Sequence, residues 1–595
     1  MADKYLFIFT IGPVKDFINQ SRKTQDLFAG SRILSFLTTE AMNLAIDLFN
    51  QSDKIIITPS TETKYKPNRF VALIEKKPKL DLHAIGRSIE ESIKAKFIEI
   101  ASIQFNGSFK KPVGYDEQLE DYLEIFWLFY PINGDYRTAY RLAFQELAAI
   151  KNITRYKEFE ETGRKCSVNG IYNVKVYRKN KDGKAINLFQ ENDNARILEF
   201  DDYKELKIWH LAEGEGLSAV SLAKRIFNDI NQKKLSEPHI FKSTARISLS
   251  HILENSKIKK LPEFIKYKEM CEEGLYLEHS DDQLLYKENI KLFFRKSENA
   301  AKLIDEFEDA HDAWTFRMNE DKIDADFTKY YALIRFDGDN MGDWLNGENL
   351  KDGCDLKDFH IALTQCIKNY TDSLDKLITK ADGKIVYAGG EDFMAMINIH
   401  SLFKVLNLIK DNYKAHISDG LIDFKQNEND EMTISIGVAI GHYKHPLAMV
   451  LDKAKEMEKK AKDNQRNSYA IGVMKHGKNK LDTVWNWKKN NVNSFKSIEN
   501  INKLVSDTEI SLVFLRKIYG FFEDFGFDIK NNKDLIENKI DMYVNQLDSI
   551  NEADRKGLKK NLKELLGISE IQNFADLLLV MDFLNRKVTS DDTKA

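Results

Sequence analysis

No cysteine of this chain stands in a C-x-x-C pair: Cys166, Cys271, Cys354 and Cys366 are scattered. Sparse, unpatterned thiols fit a reducing compartment better than a disulfide framework. They also offer no local ligand pairs to a structural zinc, so no zinc is expected. Proline is scarce, at 9 residues, and glycine modest, at 28, which argues against long disordered linkers and for packed elements with short connections. No apolar run approaches the roughly 20 residues that a membrane-spanning helix requires. The N-terminal run at 5–11 is too short for an export signal core, and Gly12-Pro13 closes it. A cytoplasmic protein with no membrane association is expected. An excess of one charge is missing as well: 89 Lys and Arg stand against 93 Asp and Glu, a net charge of −4. That balance excludes a uniformly basic nucleic-acid binder and leaves room for local basic patches.

What is present is length, with 595 residues, and an ordinary globular composition, 43% hydrophobic and 31% charged. A chain this long exceeds one hydrophobic core, and two to four domains are expected. Residues 5–11 read as a buried strand. Residues 14–29 have helical spacing through Val14, Phe17, Ile18, Leu27 and Phe28, and Gly30 is expected to stop that helix. A further helix at 32–49, strands near 54–59 and 68–74, a helix near 82–103 and an aromatic strand at 123–132 complete the order β-α-β-β-α-β. Residues 325–475 repeat that order. Strands are expected at 330–336, 384–388, 393–399, 432–441 and 468–473, with helices at 356–379, 401–418 and 446–462. The predicted fold class is α+β, with two ferredoxin-like (βαββαβ) palm domains of the nucleotide-cyclase type. The predicted domains are a first palm-like domain at 1–150, an insertion at 151–324, a second palm at 325–480, and a C-terminal domain of helices only at 481–595.

The chemistry-bearing residues gather in the second unit. Its first strand runs into Asp337-Gly338-Asp339-Asn340, and the next hairpin turns at Gly389-Gly390 and continues as Glu391-Asp392. If the first and second strands of that sheet are neighbours, Asp337 lies beside Glu391 and Asp392. Three converging carboxylates repel one another unless a divalent cation sits among them. Two hard cations, Mg2+ or Mn2+, held by such a set suit phosphoryl transfer from a nucleoside triphosphate. Gly389 and Gly390 leave no β-carbon between substrate and turn. Lys462 and Arg466, four apart near a helix C-terminus, can reach the triphosphate over the same sheet edge, although taken alone they read first as a solvated basic helix end favoured by the macrodipole. A separate basic stretch, Lys475, Lys478, Lys480, Lys488 and Lys489, flanks Trp485 and Trp487. Lysines there can track RNA phosphate while an aromatic ring stacks on a base, and Lys488 and Lys489 are the candidate RNA contacts. The alternative is a solvated surface with both indoles packed inward.

The acidic strand end, the Gly389-Gly390-Glu391-Asp392 turn, Ser435-Ile436-Gly437-Val438-Ala439 and Ala461-Lys462…Arg466-Asn467 together resemble the GGDEF and nucleotide-cyclase palm superfamily. That resemblance implies Asp337, Glu391 and Asp392 as catalytic metal ligands, and Lys462 and Arg466 as phosphate contacts. The order Glu391-Asp392, where relatives often carry two aspartates, departs from the pattern and bears on metal geometry. The N-terminus narrows the likeness. Ile11-Gly12-Pro13-Val14-Lys15-Asp16-Phe17-Ile18 and Ser21-Arg22-Lys23-Thr24-Gln25-Asp26-Leu27-Phe28-Ala29-Gly30-Ser31 resemble the large subunit of type III-B (Cmr) CRISPR effector complexes. Leu217-Ser218-Ala219-Val220-Ser221, Lys224-Arg225, Ser243-Thr244-Ala245 and His442-Tyr443-Lys444-His445-Pro446-Leu447 support it.

By that resemblance ATP is bound across two facing sheets, and Arg22, Lys23, Asp26 and Ser31 line a second nucleotide pocket. The implied partners are the other Cmr subunits, guide RNA and target RNA. The implied activity is RNA-activated synthesis of cyclic oligoadenylate from ATP. Two family features are absent. The Gly12-Pro13 motif comes so early that no HD nuclease domain is expected, and His311-Asp312 reads as structural. Where relatives often carry a C-x-x-C pair, this chain has Cys166-Ser167-Val168-Asn169. Relatives without the HD domain include some that attach AMP to S-adenosylmethionine, so that acceptor stays open beside ATP. A catalytically silent subunit holding guide and target RNA is a third reading, and a diguanylate cyclase a fourth.

Overall fold

In the computed structural model the chain is described over residues 4–50, 55–75, 81–105, 111–120, 122–153, 161, 163–178, 196–198, 211–212, 214–231, 242–273 and 282–295. The description continues over 299–323, 326–381, 383–390, 392–427, 430–475, 481–507, 510, 512–525 and 533–586. Mixed helix and sheet place it in the α+β class.

The first sheet holds β1 (Lys4–Gly12), β2 (Ile56–Thr58), β3 (Arg69–Glu75) and β4 (Glu124–Pro131), in the order β2-β3-β1-β4 with every pair antiparallel. β1 is apolar almost without alternation because both of its faces are covered: Leu6 and Ile8 belong to one core, Phe7, Phe9 and Ile11 to another. Between β1 and β2 the chain forms a short helix, Lys15–Asn19, and then one helix of 26 residues, Thr24–Phe49. The expected stop at Gly30 is therefore incorrect. The break comes earlier, where Lys23 is extended (φ −110°, ψ 151°) and caps the second helix. Gly30 lies inside that helix with the Lys224 side chain packed over it. Helix-interior glycine costs about 1 kcal/mol relative to alanine, which tertiary packing readily outweighs.

The intervening region carries a small sheet of β5 (Val176–Arg178), β6 (Arg196–Leu198) and β7 (Gly216–Leu217), followed by the helix Ala219–Asn231, which packs on Thr24–Phe49. Beyond it a helical cluster closes around Tyr267, Tyr286 and Trp314. His311 lies inside this cluster with its Nε2 3.0 Å from the Leu285 carbonyl, and burial pushes its pKa down.

The second sheet has six strands: β8 (Tyr330–Gly338), β9 (Lys384–Gly389), β10 (Asp392–Asn398), β11 (Ile434–His442), β12 (Ser468–Val473) and β13 (Leu481–Asn486). Their order is β13-β12-β11-β8-β10-β9. The first four strands of this sheet thus lie in the order fourth, first, third, second, as in the first sheet. The first and second strands are not neighbours, so the condition set for Asp337 to lie beside the hairpin is met through the third strand instead: β8 pairs with β10, and β9 hangs on the outer side of the hairpin. Alternate residues of β8 serve different cores, with Ala332, Ile334 and Phe336 facing the helix Leu356–Lys380 and Tyr331 and Leu333 facing the other way. The two sheet units touch through Lys64 and Tyr65 on Asp375, both at 3.0 Å, and through Tyr136 Oη at 3.0 Å from His360 Nδ1.

The C-terminal region is not made of helices only. Leu481, Thr483 and Trp485 are buried, while Asp482, Val484 and Asn486 alternate with them, and this period of two forms β13 at the edge of the second sheet. Among the described residues five helices follow: Ser494–Asp507, Val513–Phe525, Lys533–Asn545, Glu552–Ile568 and Ile571–Leu584. Asn573 of the last grips β13, donating to Val484 O at 2.9 Å and accepting from Val484 N at 2.8 Å. Among the described residues no helix is long and apolar enough to cross a membrane.

Candidate active site

The ends of β8, β10 and β11 converge on one edge of the second sheet. β8 and β11 pair Ser435 with Asp337 and Ile434 with Gly338. β8 and β10 pair as far as Phe336 with Phe393, so Asp337 and Asp392 are the next residues on adjacent strands. The rings of Phe336 and Phe393 stack at 4.6 Å and close the apolar floor under that edge. Gly389 ends β9 and pairs with Asp392. Gly390 turns the hairpin at φ +69°, a left-handed position that favours glycine, and a β-carbon there would meet nothing within 4 Å. Glu391 lies outside the described residues.

The helix Leu447–Asp463 lies across β11 and β12 with Leu447, Val450, Leu451, Ala454, Met457 and Ala461 buried. Its backbone comes so close to β11 that a β-carbon on Gly437 would sit 2.2 Å from Glu458 N and 2.5 Å from Ala454 O. Only glycine permits that contact, and the contact carries the last helical turn over the acidic edge. Lys462 Nζ there hydrogen-bonds Asp337 Oδ2 and lies 3.3 Å from Glu458 Oε1. Partial burial, the largest single effect, pulls the lysine pKa down. The hydrogen bond and charge of Asp337, with those of Glu458, more than reverse it, and the net direction is upward. Glu458 also takes a hydrogen bond from Arg335 Nε, two residues before Asp337 on the same face of β8.

After the helix, Gln465, Arg466 and Asn467 are all left-handed, with φ of 62°, 59° and 44°. One buried residue that the sequence reading passed over, Asp339, pins this turn. Its Oδ2 accepts from Thr433 Oγ1 at 2.7 Å and from Asn467 N at 2.9 Å, and its Oδ1 accepts from Ser435 Oγ at 2.7 Å. The available signal was the second acid of Asp337-Gly338-Asp339, matched by two hydroxyls, Thr433 and Ser435, at the start of an otherwise apolar strand. Asn486 of β13 braces the turn from the other side, donating to Asn464 O at 2.9 Å and Ser468 Oγ at 2.8 Å. The Arg466 side chain is exposed.

The donors at this edge suit a hard divalent cation. They are carboxylate oxygens, and an ammonium already sits on Asp337 as a cation would. Among the described residues no group of three His, Cys, Asp or Glu is assembled as a metal site, and Glu391, the third acid of the expected set, is outside them.

Arg22, Lys23 and Asp26 fall in a different cluster. Arg225 is fully buried and held from both sides: Nε lies 2.6 Å from Asp26 Oδ1, and Nη1 lies 3.1 Å from Glu215 Oε2. Burial would raise the Asp26 pKa, but the charge and hydrogen bonds of Arg225 carry it below the usual carboxylate range. Lys23 is lowered to about 8, by burial first and by Arg225 second. Arg22 is exposed and 3.7 Å from Glu215. Ser31 is buried in the helix Thr24–Phe49. From this cluster Thr24 Oγ1 reaches Lys242 O at 3.2 Å, and Thr244 Oγ1 reaches Tyr443 O at 2.9 Å, beyond the end of β11 away from Asp337.

The remaining candidates are placed as follows. Cys166 is buried with Sγ 3.4 Å from Ser221 Oγ, and Asn169 Nδ2 donates to Ser218 Oγ at 3.1 Å. Lys488 and Lys489 are exposed, but Trp485 and Trp487 are 3% and 2% exposed, so neither indole is offered to a base. The stacking part of the RNA reading is corrected: Trp487 packs on Tyr469 and Phe495, its ring closing the core under β12. Lys478 and Lys480 lie outside the described residues.

Comparison with known proteins meets this geometry. Residues 330–470 match the second palm domain of Cas10/Cmr2, and residues 6–102 match the N-terminal region of the CRISPR-associated protein Cmr2. The Cmr2 subunit of the CRISPR Cmr system of Pyrococcus furiosus is 23% identical over 571 residues, which cover 82% of this chain. The chain spans 63% of the length of that relative. Two solved structures of the type III-B Cmr-β complex, in the apo state and bound to cognate target RNA, share its fold with a TM-score of 0.66 each. Their identities are 14% and 13%, and the likeness covers 98% of this chain and 82% and 83% of theirs. The two matched segments hold β1 and its following helix on one side and the whole Asp337–Lys462 edge on the other, so the likeness to Cas10/Cmr2 proteins takes in both sheet units.

Proposed function

We propose that this chain is the nucleotidyltransferase of a Cmr ribonucleoprotein complex, activated by target RNA and making cyclic oligoadenylate from ATP. One observation carries the reading: Asp337 and Asp392 follow the last β8–β10 pair on adjacent strands, and Lys462 is drawn onto Asp337 from the helix above. In this reading both sheets are ferredoxin-like palms. Asp337, Glu391 and Asp392 hold Mg2+ or Mn2+, and Gly390 leaves the turn open to the nucleotide, while the expected opening at Gly389 is corrected because the Tyr387 ring packs where its β-carbon would stand. Bound there, the cations would supply charge neutralisation and a more acidic 3′-hydroxyl. Lys462 and Arg466 grip the β- and γ-phosphates, orient the α-phosphate for in-line attack by the 3′-oxygen of a second ATP, and hold the departing pyrophosphate. Arg22, Lys23, Asp26 and Ser31 belong to the second nucleotide's side.

The test is the assembled complex incubated with ATP, Mg2+ and target RNA, its products resolved by mass spectrometry. Adenylate rings are expected from the wild type, and loss of at least about 100-fold in rate from Asp337→Asn or Asp392→Ala. Failure of the wild type to consume ATP, or full activity in those variants, overturns the reading. A new species formed only when S-adenosylmethionine is added moves the acceptor assignment to that molecule.

A further inference from the structure

We propose that Glu458, braced by Arg335, is a positioning residue that keeps Lys462 beside the nucleotide site once a cation occupies Asp337. This rests on the nucleotidyltransferase reading and adds to it the device that holds the phosphate-gripping lysine in place.

The four side chains form a row of alternating charge along one face. Arg335 Nε binds Glu458 Oε2, Glu458 Oε1 lies 3.3 Å from Lys462 Nζ, and Lys462 Nζ binds Asp337 Oδ2. Arg335 and Asp337 share a face of β8 because they are two residues apart, and Glu458 and Lys462 share a face of the helix because they are four apart. In this structure the ammonium sits on Asp337, the carboxylate that would hold a divalent cation. Two such charges repel, so with a cation held at Asp337 the lysine would lose that partner. Without a second anion the flexible lysine stem would swing into water. Glu458, one helical turn back, gives the ammonium an anchor that leaves it within reach of a triphosphate.

A plain structural staple between helix and sheet is the competing account, and the packing argues against it. Gly437 already brings the β11 backbone against Glu458 N and Ala454 O, so the helix is seated without the ion pair. The side chains of Glu458 and Arg335 are only 10% and 12% exposed, and so buried a pair confers little stability over apolar residues of the same volume. A pair that adds little to the fold is explained by what its second carboxylate oxygen faces, which is Lys462.

The experiment is calorimetric titration of the full chain in Mg2+ with ATP and, separately, with AMP, which lacks the phosphates that Lys462 would grip. Glu458→Gln and the double variant Arg335→Met/Glu458→Met are each compared with wild type. The expected result is ATP affinity weakened about tenfold in both variants, AMP affinity unchanged, and a double variant whose amide hydrogen exchange over β11 and the helix Leu447–Asp463 stays within about threefold of wild type. ATP binding equal to wild type in both variants overturns the proposal, as does an equal loss for ATP and AMP. A wild-type chain that binds no ATP overturns the nucleotidyltransferase reading itself, a result distinct from either.

Discussion

Removing the carboxylate of Asp339 should unlock the Gln465–Asn467 turn while leaving the sheets intact. Asp339 is 4% exposed and accepts three hydrogen bonds, from Thr433 Oγ1, Ser435 Oγ and Asn467 N, none longer than 2.9 Å. In Asp339→Ala the two hydroxyls can rotate toward other acceptors, but the Asn467 N–H is fixed by a left-handed backbone and loses its partner. An amide donor deprived of an ionised acceptor costs about 2–3 kcal/mol, and loss of the hydroxyl contacts brings the local total to about 3 kcal/mol. Asp339→Asn keeps one acceptor oxygen for Thr433 and Asn467, and Ser435 can rotate to accept from the new amide, so its cost is about 1 kcal/mol. A chain with several domains does not unfold in one step, so a global melt is the wrong assay. Amide hydrogen exchange over 464–468 reads the opening of the turn directly. Exchange there should quicken about 100-fold in Asp339→Ala and about fivefold in Asp339→Asn, with β1 and β3 unchanged. Protection in Asp339→Ala within about threefold of wild type would refute the pinning role.

His360 gives a pH dependence of stability. Burial, opposed by the Leu345 carbonyl and Asp355, lowers its pKa from 6.5 to about 4, and its two nitrogens contact Tyr136 Oη and Leu345 O as a neutral ring does. The unfolded state binds the proton first as pH falls, so the contact between the two sheet units should weaken from about pH 6.5 down to about pH 4, by up to about 3 kcal/mol. Amide hydrogen exchange over 136–144 and 356–364 followed across that range should show His360→Gln losing less protection than wild type, and an identical pH slope in both excludes His360 as the source. Reversal of exposed Lys488 and Lys489 to Glu should weaken target-RNA binding by the assembled complex and flatten its dependence on log salt by about one to two units. An unchanged salt slope removes both lysines from the RNA interface.

Periodicity and motif spacing carried much of what the fold needed. The uninterrupted apolar run of β1, the glycine turn between β9 and β10, and the 3.6-residue stripe of Leu447–Asp463 are local properties, and local physics places such elements within a few residues. The acidic residues and Lys462 were legible for a similar reason, since polar groups at the ends of apolar strands stand out. β13 was hidden because six alternating residues beside five amphipathic helices carry little weight until β12 offers an edge to pair with. Gly30 misled because its packing partner, Lys224, is 194 positions away in sequence.

What the sequence by itself determined was the set of elements and the chemistry at their ends, because side-chain period and residue type act within a turn or a strand. Only the tertiary structure decided which ends meet. Strand order sets β10, not β9, beside β8, and so puts Asp392 rather than the start of the hairpin next to Asp337. Close approach at Gly437 decides that Lys462 arrives over that edge with Glu458 behind it. Those contacts join residues about 20 to 125 positions apart, and their energy comes from burial and charge pairing that exist only once the strands are ordered.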